Sequence, residues 1–445
     1  MSKSATPRVR FAALPLDASF DGGRLTSDGG LAWLAEAEAA VGICAAFAER
    51  IPDWRRAGVR HSLAALLRQR VFQIACGYQD QNDADTLRAD PLLKLVCGRL
   101  PDTDPDLASQ PTFSRLENAV DGRTCYRLAV ALLEVYLRER VRPGRPRHIL
   151  LDLDTTDDAT YGKQEATAYH GYYREHMYHP LFVFDGETDQ LITAVLRPGN
   201  AHASRGVRAI LRRLVRRLRA CWPGVRIELR ADSGFATPKV YRFCEREGID
   251  YTIGLVPNPR LEREAAPLLA EAQRQSAEQA GAKVRLVAEL RYQADSWSTA
   301  RRVVYKAETL EKGPNTRFVV TSRPDEPLVL YDWYVDRGEP ELWIKDFKNA
   351  CFADRMSCHR FLANQFRLLL HAAAYWLLDT LRRWLIAAGA ARVQLDSLRL
   401  RLLKIAGRVR QLGPVVRLQL ATSHPGEPLW FLLAAHPQAP VNNSG

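Results

Sequence analysis

This chain is short of several things that would otherwise place it. No apolar run stays free of charge for the length of a bilayer: the most apolar segment, Phe361 to Ala388, carries Arg367, His371, Asp379, Arg382 and Arg383. Charge at that density belongs to a packed helix, and no membrane partner is expected. The basic start, Met1 to Arg10, has no apolar core behind it and does not read as a signal peptide. The eight cysteines (Cys44, Cys76, Cys97, Cys125, Cys221, Cys244, Cys351, Cys358) make no C-x-x-C and flank no His pair at finger spacing. That argues against zinc and disulfides and for reduced, buried thiols in a cytoplasmic protein. Acid is short as well: 51 Asp and Glu stand against 63 Lys and Arg, a net charge of +12. Most of the excess is arginine, whose planar fork binds phosphate bidentately, so the expected partner is a polyanion, nucleic acid ahead of a membrane surface.

At 445 residues the chain exceeds one core and should divide into several units. Residues 1–143 read as a helical bundle, expected to be a DNA-end-binding unit, with a purely structural bundle as the alternative. Leu63, Leu66, Leu67, Val71 and Ile74 fall at helical spacing, and Pro91 opens a helix that Gly98 ends. Pro143-Gly144-Arg145-Pro146 breaks the chain, and 144–256 changes character. Strand-like runs at 148–154, 181–185 and 191–196 suggest an antiparallel meander. A helix from Gly206 to Cys221, a strand to Asp232, a helix at Pro238–Glu247 and a strand at Tyr251–Leu255 complete the element order of a ribonuclease-H-like α/β fold. Residues 257–327 read as a β-rich insertion subdomain, 328–390 as the second part of the core, and 391–445 as a basic C-terminal region. In the last, Arg399, Arg401, Lys404, Arg408, Arg410 and Arg417 are expected to meet phosphate.

Two-metal phosphoryl transfer needs carboxylates converging on ions roughly 4 Å apart. Asp154 ends the first strand, Asp232 ends a later one, and Glu341 starts a late helix after a strand-like run from Leu328 to Val335. Around Glu341 stand Tyr334, Arg337 and Lys348, a phenol, a guanidinium and an ammonium that suit an acid-held metal facing a phosphodiester. Asp152 shares the strand face of Asp154 and competes with it; Glu339 competes with Glu341. Asp157, Asp158 and Glu165 read as loop acids. His170, His176 and His179 lie among Tyr169, Tyr172, Tyr173 and Tyr178, which reads as a hydrogen-bonded aromatic loop near the active site, with a His-held zinc or nuclease site as its rival. On the helix 206–221, Arg208, Arg212 and Arg216 belong to a nearly unrelieved basic face, expected to contact DNA phosphates.

The spacing Tyr334-x2-Arg337-x3-Glu341-x6-Lys348, with Asp154-Thr-Thr and Asp232-Ser-Gly-Phe, resembles the Tyr-Arg-Glu-Lys group of DDE transposases from bacterial insertion sequences. The stretches 20–30, 77–83, 162–165 and 171–173 are also similar to members of that family. The resemblance implies metal-dependent cleavage of double-stranded DNA at the element's terminal inverted repeats, then attack of the freed 3′-hydroxyl on target DNA. It implies Asp154, Asp232 and Glu341 as ligands of two magnesium ions, with manganese able to substitute. It implies Tyr334, Arg337 and Lys348 on phosphates near the cleaved end, a homodimer in the active complex, and a nucleoid-associated protein. Two rivals share the fold: a stand-alone nuclease, and a catalytically silent DNA-binding descendant of a transposase.

Overall fold

The alternation of Ile149, Leu151 and Leu153 produces strand β1 (His148–Thr155), on which the rest of the sheet is laid. The structure is a computed structural model and describes residues 8–11, 14–17, 19–55, 58–142, 144–279, 281–310 and 313–435. Pro143, at the expected breaker, and most of Met1 to Arg10 lie outside them.

Seven more strands follow in chain order: β2 (Leu181–Asp185), β3 (Gln190–Val195), β4 (Arg226–Ala231), β5 (Asp250–Leu255), β6 (Val284–Tyr292), β7 (Arg301–Leu310) and β8 (Gly313–Thr321). They form one mixed sheet in the order β6-β7-β8-β5-β4-β1-β2-β3. β1 runs antiparallel to β2 and parallel to β4, and β4 is parallel to β5. The inner strands are buried on both faces, so helices must cover them. Those helices are α1 (Gly122–Val141), α2 (Val207–Cys221), α3 (Pro238–Glu247), α4 (Pro259–Glu278), α5 (Pro327–Val335), α6 (Glu339–Cys351) and α7 (Phe361–Ala387). Phe184 on β2 packs against Trp343 of α6 and Tyr375 of α7, which fixes the helix bearing Glu341 against the sheet.

Three expectations are corrected. Leu328–Val335 is helix, not strand: Glu326 Oε2 accepts from Leu328 N (3.0 Å) and Val329 N (3.1 Å), and Pro327 takes the first turn, so capping overrides a β-like composition. The 257–327 stretch does hold a helix and three strands, but those strands continue the central sheet through the antiparallel pairing of β5 with β8, and make no separate sheet. The chain also divides into two compact units, not consecutive segments: 1–48, 53–116 and 377–445 form one, and 49–52 and 117–376 the other. Helix α1 thereby belongs with the sheet, where Tyr136 Oη and Arg140 Nε both donate to the buried Asp185 carboxylate, each at 2.8 Å.

Between β1 and β2 a small sheet pairs Glu175–Tyr178 with Asp158–Ala159 and Ala168–His170, where a loop was expected. In the other unit, Asp28 accepts from Tyr78 Oη (2.8 Å) and pairs with Lys404 (2.7 Å), joining the motif stretches 20–30 and 77–83 to the C-terminal region. That region holds a hairpin of β9 (Gly407–Leu412) and β10 (Val415–Leu420), with β9 also paired to Leu25–Thr26, and then a helix at Glu427–Ala435. Of the cysteines expected to be buried, Cys221 is exposed and Cys358 partly so. Among the described residues no single helix is long and apolar enough to cross a membrane.

Candidate active site

Register places the first two acids. Leu153 of β1 stands opposite Ala231 of β4, so the next residue on each, Asp154, still paired with Phe182 of β2, and Asp232, just past the end of β4, lies at the carboxyl end of neighbouring parallel strands. Strands in a sheet lie about 4.8 Å apart. Asp154 is 6% exposed and accepts one hydrogen bond, from Thr155 N at 2.8 Å. Asp232 caps a short 3-10 turn, Ser233–Phe235, accepting from Gly234 N at 2.9 Å. Residue 234 has to be glycine, since a Cβ there would meet Ala203 Cβ at 2.7 Å and Asp232 Oδ1 at 3.1 Å. Burial first, and the charge of Asp232 second, push the Asp154 carboxyl up to about 7. Asp232 is raised too, by burial, with Arg337 opposing.

The other four residues arrive together from α5, the 3-10 turn Asp336–Gly338 and α6. Tyr334 Oη donates to Ala231 O (3.2 Å), at the residue before Asp232. Burial pushes this phenol up to about 12. Gly254 leaves room for it: a Cβ there would lie 2.7 Å from Tyr334 Oη. Arg337 Nη2 donates to Glu341 Oε1 at 2.5 Å, and the Glu341 side chain is 59% exposed. Burial opposes the Arg337 charge, yet Tyr334, Asp154, Glu341 and Asp232 together hold it above its ordinary value. Lys348 Nζ donates to Asp157 O (2.8 Å) and Thr156 Oγ1 (3.2 Å), fastening α6 to the loop just past Asp154.

Asp154 and Asp232 are an all-oxygen donor pair whose charges repel, which is the chemistry a hard divalent cation relieves. Magnesium is usually held by one or two carboxylates plus substrate phosphate, so the pair fits it. Glu341 raises both aspartates and is therefore in electrostatic reach, but its carboxylate is turned to Arg337. Accordingly, among the described residues no three His, Cys, Asp or Glu side chains are grouped closely enough to hold a metal.

A family model for the transposase DDE domain, group 1, matches residues 10–438. The chain belongs to that transposase family. No curated protein matches it. Among solved structures, a piggyBac transposase synaptic complex with hairpin DNA aligns with 85% of this chain and 80% of its own, at 10% identity and a TM-score of 0.42.

In this transposase Asp152 is committed elsewhere. Its two oxygens accept from Arg230 Nε and Nη2, both at 2.7 Å, with the pair buried. Arg230 also donates to Trp333 O (3.0 Å), tying β4 to α5. Glu339 is among the charges that raise Asp152. Asp158 is buried, and among the described residues neither of its oxygens has a hydrogen-bond partner, unlike an exposed loop acid.

The histidines pack as aromatics. His170 and His179 rings lie 5.1 Å apart beside Tyr173, and burial holds His179 down at about 4, with its Nδ1 donating to Ala201 O (2.7 Å). Tyr173 is pushed up to about 12 by burial and then by Asp157, Asp154 and Asp232, so this cluster borders the acids.

Helix α2 sorts its arginines. Arg217 pairs with Glu134 (3.5 Å) and Arg213 lies over the Tyr126 ring (5.1 Å), while Arg208, Arg212 and Arg216, one turn apart, are exposed. Sequence reasoning missed Arg230 and His202. His202 lies in the loop before α2 and lowers Asp232, and no local motif marks it.

Proposed function

We propose that this member of the family is a DNA transposase of an insertion sequence that cleaves double-stranded DNA at the element's ends and joins the freed 3′-hydroxyl to target DNA. The observation that carries the reading is the pairing of Asp154 with Asp232 at the ends of two adjacent central strands, faced by the guanidinium that holds Glu341. The sheet order β3-β2-β1-β4-β5, with β1 antiparallel to β2 and parallel to β4, supports a ribonuclease-H-like core.

In this reading Asp154 and Asp232 would hold two magnesium ions, with Glu341 available to them when not paired with Arg337. Bound ions would activate the attacking oxygen and stabilise the leaving oxygen of the phosphodiester. The protein's own side chains do the rest. A partly exposed ion pair is weak, on the order of 1 kcal/mol or less, so a phosphate can draw the Arg337 fork away from Glu341. Tyr334 holds the backbone before Asp232, and Lys348 fixes the loop after Asp154, so both aspartates keep their direction as a strand enters. Arg208, Arg212 and Arg216 hold backbone phosphates without reading sequence.

The deciding experiment is cleavage of a duplex bearing the element's terminal repeats, with magnesium, by the parent and by Asp232→Asn. The variant should bind and not cut; cutting at the parental rate refutes the assignment. Joining to a second duplex, scored in the same reaction, separates a transposase from a nuclease of this fold.

A further inference from the structure

The hairpin at 407–420 carries charge that no acid among the described residues pairs with. Gly413, at φ 61°, and Pro414 join β9 to β10, a positive φ that glycine supplies at the first central position of a tight hairpin turn. From that turn the alternation of a strand assigns each residue a side. Val409 is buried and Leu418 and Leu420 are partly covered; both leucines line an apolar cavity with Ile405 and Trp430. The opposite side shows Arg408, Arg410 and Leu412 from β9 and Val415, Arg417 and Gln419 from β10, all exposed.

Arg410 stands directly across from Arg417 in the register. Like charges in that position destabilise a strand pair. There is no Asp or Glu anywhere from Gly407 to Leu420, and among the described residues no acid pairs with Arg408, Arg410 or Arg417. The ribbon is well formed in spite of this, with a six-pair register from Gly407–Leu420 to Leu412–Val415 and an apolar underside. A surface that keeps an uncompensated arginine pair on a rigid support is complementary to a dense line of negative charge. Guanidinium forks match phosphates bidentately, and beyond the short pairing of Gly407 and Arg408 with Leu25–Thr26 the hairpin continues as a two-stranded ribbon, one of the elements the major groove of B-form DNA admits.

We propose that the exposed face of the β9–β10 hairpin is a docking surface for double-helical DNA, with Arg408, Arg410 and Arg417 on backbone phosphates. This rests on the reading above that the protein acts on DNA. It adds a grip in the unit that does not contain Asp154 and Asp232.

Two variants test it, each against a radiolabelled duplex over a salt series. Arg410→Gln/Arg417→Gln should weaken binding at least tenfold and make the slope of log K against log salt shallower by about 1.8, since each phosphate contact contributes about 0.9. Arg410→Glu places opposite charges across the ribbon, so its thermal midpoint should hold or rise while duplex affinity falls. A purely structural role would move stability and affinity in the same direction. Unchanged affinity and slope in both variants, with a parent that binds and cuts the duplex, overturn the ribbon assignment alone. A parent that binds no duplex overturns the DNA reading and this proposal with it. Loss of binding to anionic phospholipid vesicles with duplex binding intact also overturns it.

Discussion

Arg337 and Glu341 close an ion pair across one helical turn, Nη2 to Oε1 at 2.5 Å, while the same guanidinium faces Asp154 and Asp232. In the proposed function the arginine is therefore shared between a carboxylate to be freed and two to be kept in place. Arg337→Ala should lower single-turnover cleavage by at least about tenfold, equivalent to about 1.4 kcal/mol of barrier, with little change in duplex affinity. Arg337→Lys should recover only part, because an ammonium keeps the charge and loses the fork. Full recovery by lysine would show that charge alone matters.

Asp152 and Asp154 should part company when each is changed. Removing one partner of a buried ion pair costs about 3–5 kcal/mol, so Asp152→Ala, which strands Arg230, should lower the thermal midpoint sharply. Asp154→Asn removes a repelled carboxyl and should leave the midpoint unchanged or higher while abolishing cleavage. The reverse pattern would make Asp152 the ligand.

Magnesium should stabilise the folded parent, since a ligand that binds only the native state raises the midpoint with its concentration. Calorimetry across a magnesium titration should show an upward shift that Asp154→Asn and Asp232→Asn lose. Equal shifts in all three proteins would place the ion elsewhere.

His148 makes stability fall in alkali. A hydrogen bond to Glu187 (2.6 Å) and then the Glu228 carboxylate, 3.3 Å from Nε2, push it up to about 9 from its ordinary 6.5, with burial opposing. The folded value exceeds the unfolded one, so this contribution is fully present below about pH 6.5 and disappears as pH rises through about 9. Denaturant midpoints of the parent should drop across that window relative to His148→Gln, whose curve should be flatter there.

Arg208, Arg212 and Arg216 should act additively in salt. Changing all three to Gln should make the salt slope of duplex binding shallower by about 2.7 and leave the thermal midpoint in place, because these side chains are exposed.

What could be read in advance was local. Strand β1 and helix α2 follow from alternation and from an apolar stripe, and Tyr334, Arg337 and Lys348 could be placed around Glu341. What could not be read was non-local or masked by composition. Leu328–Val335 is rich in Val, Tyr and Trp, and only the Glu326 cap with Pro327 reveals a helix. Nothing near Asp152 announces Arg230, because the two meet across strands far apart in sequence. Strands β6 to β8 look the same from inside whether they close on themselves or extend another sheet; pairing with β5 decides it. In the basic tail, attention to charge obscured Gly413-Pro414, the turn that sets Arg410 against Arg417.

Arg230 has one further consequence. By gripping Asp152 of β1 and the Trp333 carbonyl of α5 at once, it clamps an early strand to a late helix before any substrate arrives. In the proposed function the scaffold is thus set during folding, and an incoming strand would be left with a single rearrangement to drive, the parting of Arg337 from Glu341.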